Sequence, residues 1–160
     1  MDSTERELNF MRKAIELSRR AIEGNEGGPF GCVVVKGEEI VGWGWNKVTS
    51  SNDPTAHAEV VAIRDACARL RSFQLDGCEI YTSCEPCPMC MGAIYWSRPA
   101  KVYYAGTRED AAAAGFDDSL IYREITNPLH NRRIPMIPLG EQEAVRVFNE
   151  WKEKADKTAY

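Results

Sequence analysis

Two short stretches of this chain carry side chains that can do chemistry together: HAE at 57–59 and CEPCPMC at 84–90. The chain has 2 histidines and 6 cysteines; one histidine stands in the first stretch and three cysteines in the second. Pro88 follows Cys87 and opens a helical pattern, because a proline at the first helical position gives up an N–H that is not needed there. Cys87 then lies at the cap, and Cys90, three residues on, shares its helical face. Near the positive end of the helix dipole both sulfurs are favoured as thiolates. With a neutral imidazole they make a donor set suited to Zn2+. Residues two apart on a regular helix diverge by about 200°. His57 and Glu59 therefore cannot both face one point if the segment is fully helical. His57 is expected in the irregular entry turn after NDPT as a metal ligand, with Glu59 beside the ion and not bound to it.

Two thiolates and one imidazole leave one tetrahedral position for a water, whose pKa zinc lowers to about 7 in favourable sites. Glu59 would take the water's proton and pass it to a substrate nitrogen. Such a site performs hydrolytic attack at an electrophilic carbon. Spacing alone leaves two other readings open. Cys84 is correctly spaced to fill the fourth position and close a Cys3His structural site, and C-x-x-C is also a redox spacing. Cys32, Cys67 and Cys78 read as small core residues.

The elements that must position these groups follow from periodicity. Leu8, Met11, Ile15 and Ile22 recur at a helical period over 4–23, and the glycines of GNEGGPFG end that helix. CVVV and EIVGWGWN read as strands joined by KGEE, with Trp43 and Trp45 on one sheet face. Residues 57–70 return to helical spacing. CEIYTS is a short β-rich run, PMCMGAIYWS a helix and KVYYAG a strand. Short helical pieces are expected around Gly115, an edge strand at RRIPMIPL because its prolines cannot serve a central ladder, and a last amphipathic helix over 141–156. Strands alternating with helices imply an α/β domain with helices covering a sheet.

Composition narrows the function. A chain of 160 residues, 44% hydrophobic, suits one domain with an ordinary core. No apolar run reaches membrane-spanning length, and the charged first residues lack the apolar block of a signal peptide, so the expectation is a cytoplasmic protein with reduced cysteines. Net charge is −4 and the cations are scattered, which argues against a nucleic-acid partner.

HAE together with PCPMC is the signature of zinc-dependent nucleobase and nucleoside deaminases. With GGPFG, SNDPTAHAEV, YTSCEPCPMCMGAIYWSRP and GFDDSLIY, the chain resembles the bacterial guanine deaminase branch of the cytidine-deaminase-like superfamily, from about residue 8 to Tyr160. That resemblance implies a single domain over 1–160 with the cytidine deaminase-like fold, a three-layer α/β/α sandwich around a five-stranded mixed sheet. It implies hydrolytic deamination of guanine to xanthine and ammonia by zinc-activated water, with one Zn2+ per chain. His57, Cys87 and Cys90 match the zinc ligands and Glu59 the proton shuttle, while Cys84 falls outside the ligand motif. Asn46 and Asp118 match purine-binding positions, with Asp117 a weaker match, and Phe30 and Trp96 match aromatic pocket positions. Tyr160 matches a tyrosine that caps the pocket, carried on a C-terminal segment exchanged between the subunits of a homodimer. From their surroundings alone Asn46 reads as a turn residue, Asp118 as a helix cap, Phe30 and Trp96 as core, and Tyr160 as a frayed end. Rival substrates within the class are guanosine, cytosine and tRNA adenosine. A zinc-stabilised binding module without catalysis is the rival outside it.

Overall fold

In the computed structural model, which describes residues 3–160, the run GCVVVK forms β1 (Gly31–Lys36), and β2 (Glu39–Trp45) folds back antiparallel on it. The chain reverses at Gly37, whose φ of +63° favours a residue without a Cβ. On its other side β1 pairs antiparallel with β3 (Cys78–Cys84), and β3 pairs parallel with β4 (Lys101–Gly106). The sheet is therefore mixed, in the order β2-β1-β3-β4. The parallel step needs a crossover, supplied by α4 (Pro88–Ser97).

Helices pack on both faces. Helix α1 (Ser3–Glu23) covers one, where Ala14 and Leu17 bury against Val33, Val35 and Tyr81, with Trp43 and Trp45 at the margin. Helix α3 (Ala58–Leu70) covers the other, where Ala58, Ala62 and Ala66 are fully buried with Cys32, Val34 and Ile80, and Ile94 of α4 joins them. The alternation in GWGW now has a cause beyond the shared tryptophan face. Gly42 and Gly44 point at α3, and a Cβ on Gly44 would stand 2.1 Å from the Ala58 carbonyl oxygen. Glycine against an alanine stripe lets helix and strand approach unusually closely. A short α2 (Val48–Ser51) precedes α3, and α5 (Arg108–Ala113) follows β4, entered through a capping box between Thr107 and Asp110.

The chain divides into two compact units, one ending at Asp118 and the other spanning Ser119–Tyr160. The second unit holds α6 (Ser119–Thr126), a 3-10 turn at Leu129–Asn131 and α7 (Glu141–Glu153). Its internal ties include the Arg132 guanidinium donating to the carbonyls of Ile125 and Asn127, both at 3.3 Å, and the Arg133 amide donating to Glu124 at 2.7 Å. No residue in it is buried.

The sequence implied five strands; the described residues form four. RRIPMIPL is not an edge strand. Pro135 and Pro138 remove two amide donors from an eight-residue stretch, and Ile134, Ile137 and Leu139 remain exposed. No helix among the described residues is long and apolar enough to cross a membrane.

Candidate metal centre

His57 is the N-cap of α3, with extended backbone at φ −69°, ψ 155°, so it does lie in the entry turn. An Asx turn builds that entry: the Asp53 carboxylate accepts from the Thr55 amide at 2.9 Å and from the Thr55 hydroxyl at 2.7 Å. Cys87 is the N-cap of α4, again extended, with Pro88 at the first helical position. Neither cap residue bonds its own helix through its side chain. Both side chains converge instead: the Cys87 and Cys90 sulfurs each lie 3.4 Å from His57 Nδ1. Among the described residues these three are the one group whose donor atoms gather closely enough to hold a metal ion.

The donor set fits zinc. Bond lengths of about 2.3 Å to sulfur and 2.1 Å to nitrogen give a tetrahedral N···S edge of roughly 3.6 Å, close to the observed spacing. Electrostatics agree. The Cys87 thiol is pulled well below its ordinary value, first by the adjacent Cys90 thiol and then by His57, against the opposing pull of burial. Cys90 is pushed up, chiefly because it shares its proton with Cys87. His57 is raised by its bond to Cys87. Two neighbouring sulfurs cannot both ionise unaided, whereas a dication between them deprotonates both.

Cys84 does not join them. It is buried at the end of β3, and its thiol points to the Thr107 carbonyl at 3.6 Å. Burial, with Glu59 adding to it, pushes its pKa up to about 11, so it stays a neutral thiol. The closed Cys3His reading therefore has no fourth ligand in the chain's own cysteines. All six cysteines are unpaired.

Glu59, in the first turn of α3, is 5% exposed, and burial raises its pKa above the ordinary carboxylate range. Its carboxylate is bonded to Thr82 on β3 at 2.9 Å and interacts with Cys90. It thus lies against the ligand group without belonging to it.

Asn46 directly follows β2 and is 5% exposed. Its Oδ1 accepts from the amides of Gly28 at 3.3 Å and Val48 at 3.1 Å. Those donors fix the orientation of the amide. Gly27 is required by this arrangement, since a Cβ there would fall 2.0 Å from Oδ1. Phe30 is half-buried and meets Phe116 edge-on, centroids 4.9 Å apart, and both rings close over Gly28. Asp118 is partly buried and its pKa is raised by desolvation and then by the Cys87 sulfur, which places it within electrostatic reach of the ligands. Asp117 is exposed. Trp96 is exposed on α4, about 120° around the helix from Cys90. Tyr160 is exposed in the second unit. Phe116 and Thr82 are neighbours that sequence reasoning missed. The G-F-D-D run drew attention to its acids, and nothing in a lone threonine distinguishes it from any other strand residue.

Fold and site together define a zinc-dependent deaminase class. Residues 4–106 match the family model described as the cytidine and deoxycytidylate deaminase zinc-binding region, and the chain belongs to that family. Within it the chain is 52% identical to the guanine deaminase of Bacillus subtilis (strain 168), over 94% of this chain and 97% of that one. An X-ray structure of Bacillus subtilis guanine deaminase superposes with a TM-score of 0.93 at 50% identity, covering 100% of this chain and 99% of the other. The tRNA-specific adenosine deaminase of Aquifex aeolicus (strain VF5) is 35% identical over 91% of this chain and 93% of its own.

Proposed function

We propose that this enzyme deaminates guanine hydrolytically, releasing xanthine and ammonia, and that His57, Cys87 and Cys90 hold its one Zn2+ while Glu59 moves the protons. The observation that carries the chemistry is a buried carboxylate lying against a three-donor metal group that it does not join. The guanine-deaminase relative, matched over nearly the whole chain at 52%, favours guanine over the tRNA adenosine of the relative at 35%.

Zinc, when bound, supplies a hydroxide-like water at neutral pH and steadies charge on the attacking oxygen. The residues of the chain do the rest. Glu59 accepts a proton from the attacking water and delivers one to the ring nitrogen beside C2. Carbon 2 becomes tetrahedral, Glu59 carries the proton of the new C2 hydroxyl to the exocyclic amine, and the C–N bond breaks with its electron pair leaving on ammonia as the C2 carbonyl forms. Burial, by raising the carboxyl, brings it towards the pH at which it can both take and give. The Asn46 NH2 group donates to an acceptor on the purine edge. Asp118 accepts from the purine N–H groups, and a base lacking those donors would leave it unpaired. Phe30 lines one face of the base.

Trp96 and Tyr160 complete the pocket in a homodimer, with the C-terminal segment laid on the partner. Two features support this. Residues 119–160 bury nothing, although Leu120, Ile121, Phe148 and Trp151 are apolar. A groove of about 610 Å³ beside the edge strand β4, lined by Met91, Tyr95, Val102 and Tyr104 among others, offers an apolar surface to cover. With unpaired cysteines throughout, we place the enzyme in the reducing cytoplasm.

The test is ammonia release from guanine, guanosine, cytosine and adenine by the wild type and Glu59→Gln. Guanine should react and the variant should keep its zinc while losing turnover. Guanosine reacting in guanine's place would overturn the substrate. A fully active Glu59→Gln enzyme would overturn the mechanism.

A further inference from the structure

Across the sheet face that α3 covers runs a row of small, cross-paired residues: Gly44 on β2, Cys32 on β1 and Thr82 on β3. Thr82 is 1% exposed. Its hydroxyl lies 2.9 Å from Glu59 Oε1 and 3.1 Å from the backbone carbonyl of Cys84. That hydroxyl is a side-chain partner of the buried Glu59 carboxyl, brought to it from the sheet. A threonine in the middle of a buried strand needs its O–H satisfied, which the Cys84 carbonyl alone would do. The contact to Glu59 gives that buried carboxyl a polar partner as well.

We propose that Thr82 is a positioning residue for Glu59, clamping its carboxyl group from the sheet side so that the free oxygen stays aimed at the metal group while protons pass. This rests on Glu59 being the proton carrier. The clamp is rigid. A β-branched residue in a strand has restricted χ1 freedom, and Thr82 Oγ1 stands between the Glu59 carboxyl at 2.9 Å and the Cys84 carbonyl at 3.1 Å, on the chain that leads into the Cys87 turn.

The experiment compares Thr82→Val, which keeps shape and removes the hydroxyl, with Thr82→Ser, which keeps the hydroxyl. Outer partners of this kind typically contribute about 10–100-fold in activity. Thr82→Val should lose kcat by that factor, with KM, zinc content and melting temperature close to wild type. Thr82→Ser should recover most of kcat. A crystal structure of the valine variant should show the Glu59 carboxyl displaced or in two rotamers. The proposal is overturned if Thr82→Val keeps wild-type kcat, or if Thr82→Ser is as impaired as Thr82→Val, since then the methyl group and not the hydroxyl matters. If the valine variant failed to hold zinc, the serine variant alone decides, by its kcat per bound zinc. Glu59→Gln, assayed alongside, separates the levels: an inactive Glu59→Gln with an unimpaired Thr82→Val removes the clamp and leaves the proton carrier.

Discussion

Replacing Gly44 by alanine adds a single methyl group to β2, and the structure says where it must go. Its Cβ would lie 2.1 Å from the Ala58 oxygen, 2.5 Å from the Ala62 nitrogen and 2.9 Å from the Ala62 Cβ, whereas ordinary contact begins near 3.4 Å. Two of those atoms are helix backbone, so no side chain can swing aside. Helix α3 must retreat locally by about 1.3 Å, the gap between 2.1 and 3.4 Å. Overpacking of this kind typically costs about 1–3 kcal/mol; with backbone on both sides we expect about 3 kcal/mol. For a chain of this size that lowers Tm by roughly 6–12 °C. The functional loss should be larger, because the retreating turn carries His57 and Glu59 while Cys87 and Cys90 ride on α4. Metal sites tolerate about 0.2 Å in ligand distance, and a 1 Å misplacement can cost about 100-fold in rate. Calorimetric melts and a zinc titration against a competing chelator would measure both effects. Gly92→Ala is the control: it lies on α4 near Cys90, has open space around it, and should be neutral or gain up to about 1 kcal/mol from helix propensity. If Gly44→Ala melted within 2 °C of wild type, by the size relation used above, and held zinc as tightly, the idea that glycine seats α3 at the site would be wrong.

Cys84→Ser should keep the full zinc content, measured by metal analysis after dialysis, because the Cys84 thiol faces Thr107 and not the ion; loss of zinc would restore the closed-site reading. Glu79 forms an ion pair with Arg6 at 2.9 Å that ties α1 to the sheet, and although burial alone would raise its pKa, the bonds from Arg6 and Tyr81 hold it below the ordinary value. A depressed carboxylate stabilises the fold fully above its unfolded pKa of about 4.3, and the benefit disappears as pH falls through the lower folded value. Melts from pH 6 to pH 3 should therefore show a shallower acid decline for Glu79→Gln than for wild type, and parallel curves would refute the linkage.

Much of the site was legible because it depends on local geometry. A proline after a cysteine fixes a helix start, and residues two apart on a helix cannot face one point, so the placement of His57 outside α3 followed from the spacing of HAE. The hairpin turn, α4 and β4 were equally local. What the sequence hid was long-range. Whether Cys84 turned to the metal or away depended on the Thr107 carbonyl, 23 residues on. The link between Thr82 and Glu59 likewise joins residues distant in the chain. The glycines of GWGW marked a face but not the helix pressed upon it. The proline-rich stretch at 132–139 had apolar residues enough for a strand, but too few amide donors to hold one.

Both metal ligands at helix starts occupy the place where serine or aspartate would ordinarily satisfy the first free amides, and neither does so. Each forgone cap is worth about 1 kcal/mol. The two helices thus begin without the fastening most helices have, and a zinc ion held by His57 and Cys87 would join their ends. Occupancy is therefore a mechanical property of the scaffold as well as a chemical one: a starved molecule would loosen first at the two turns it needs most.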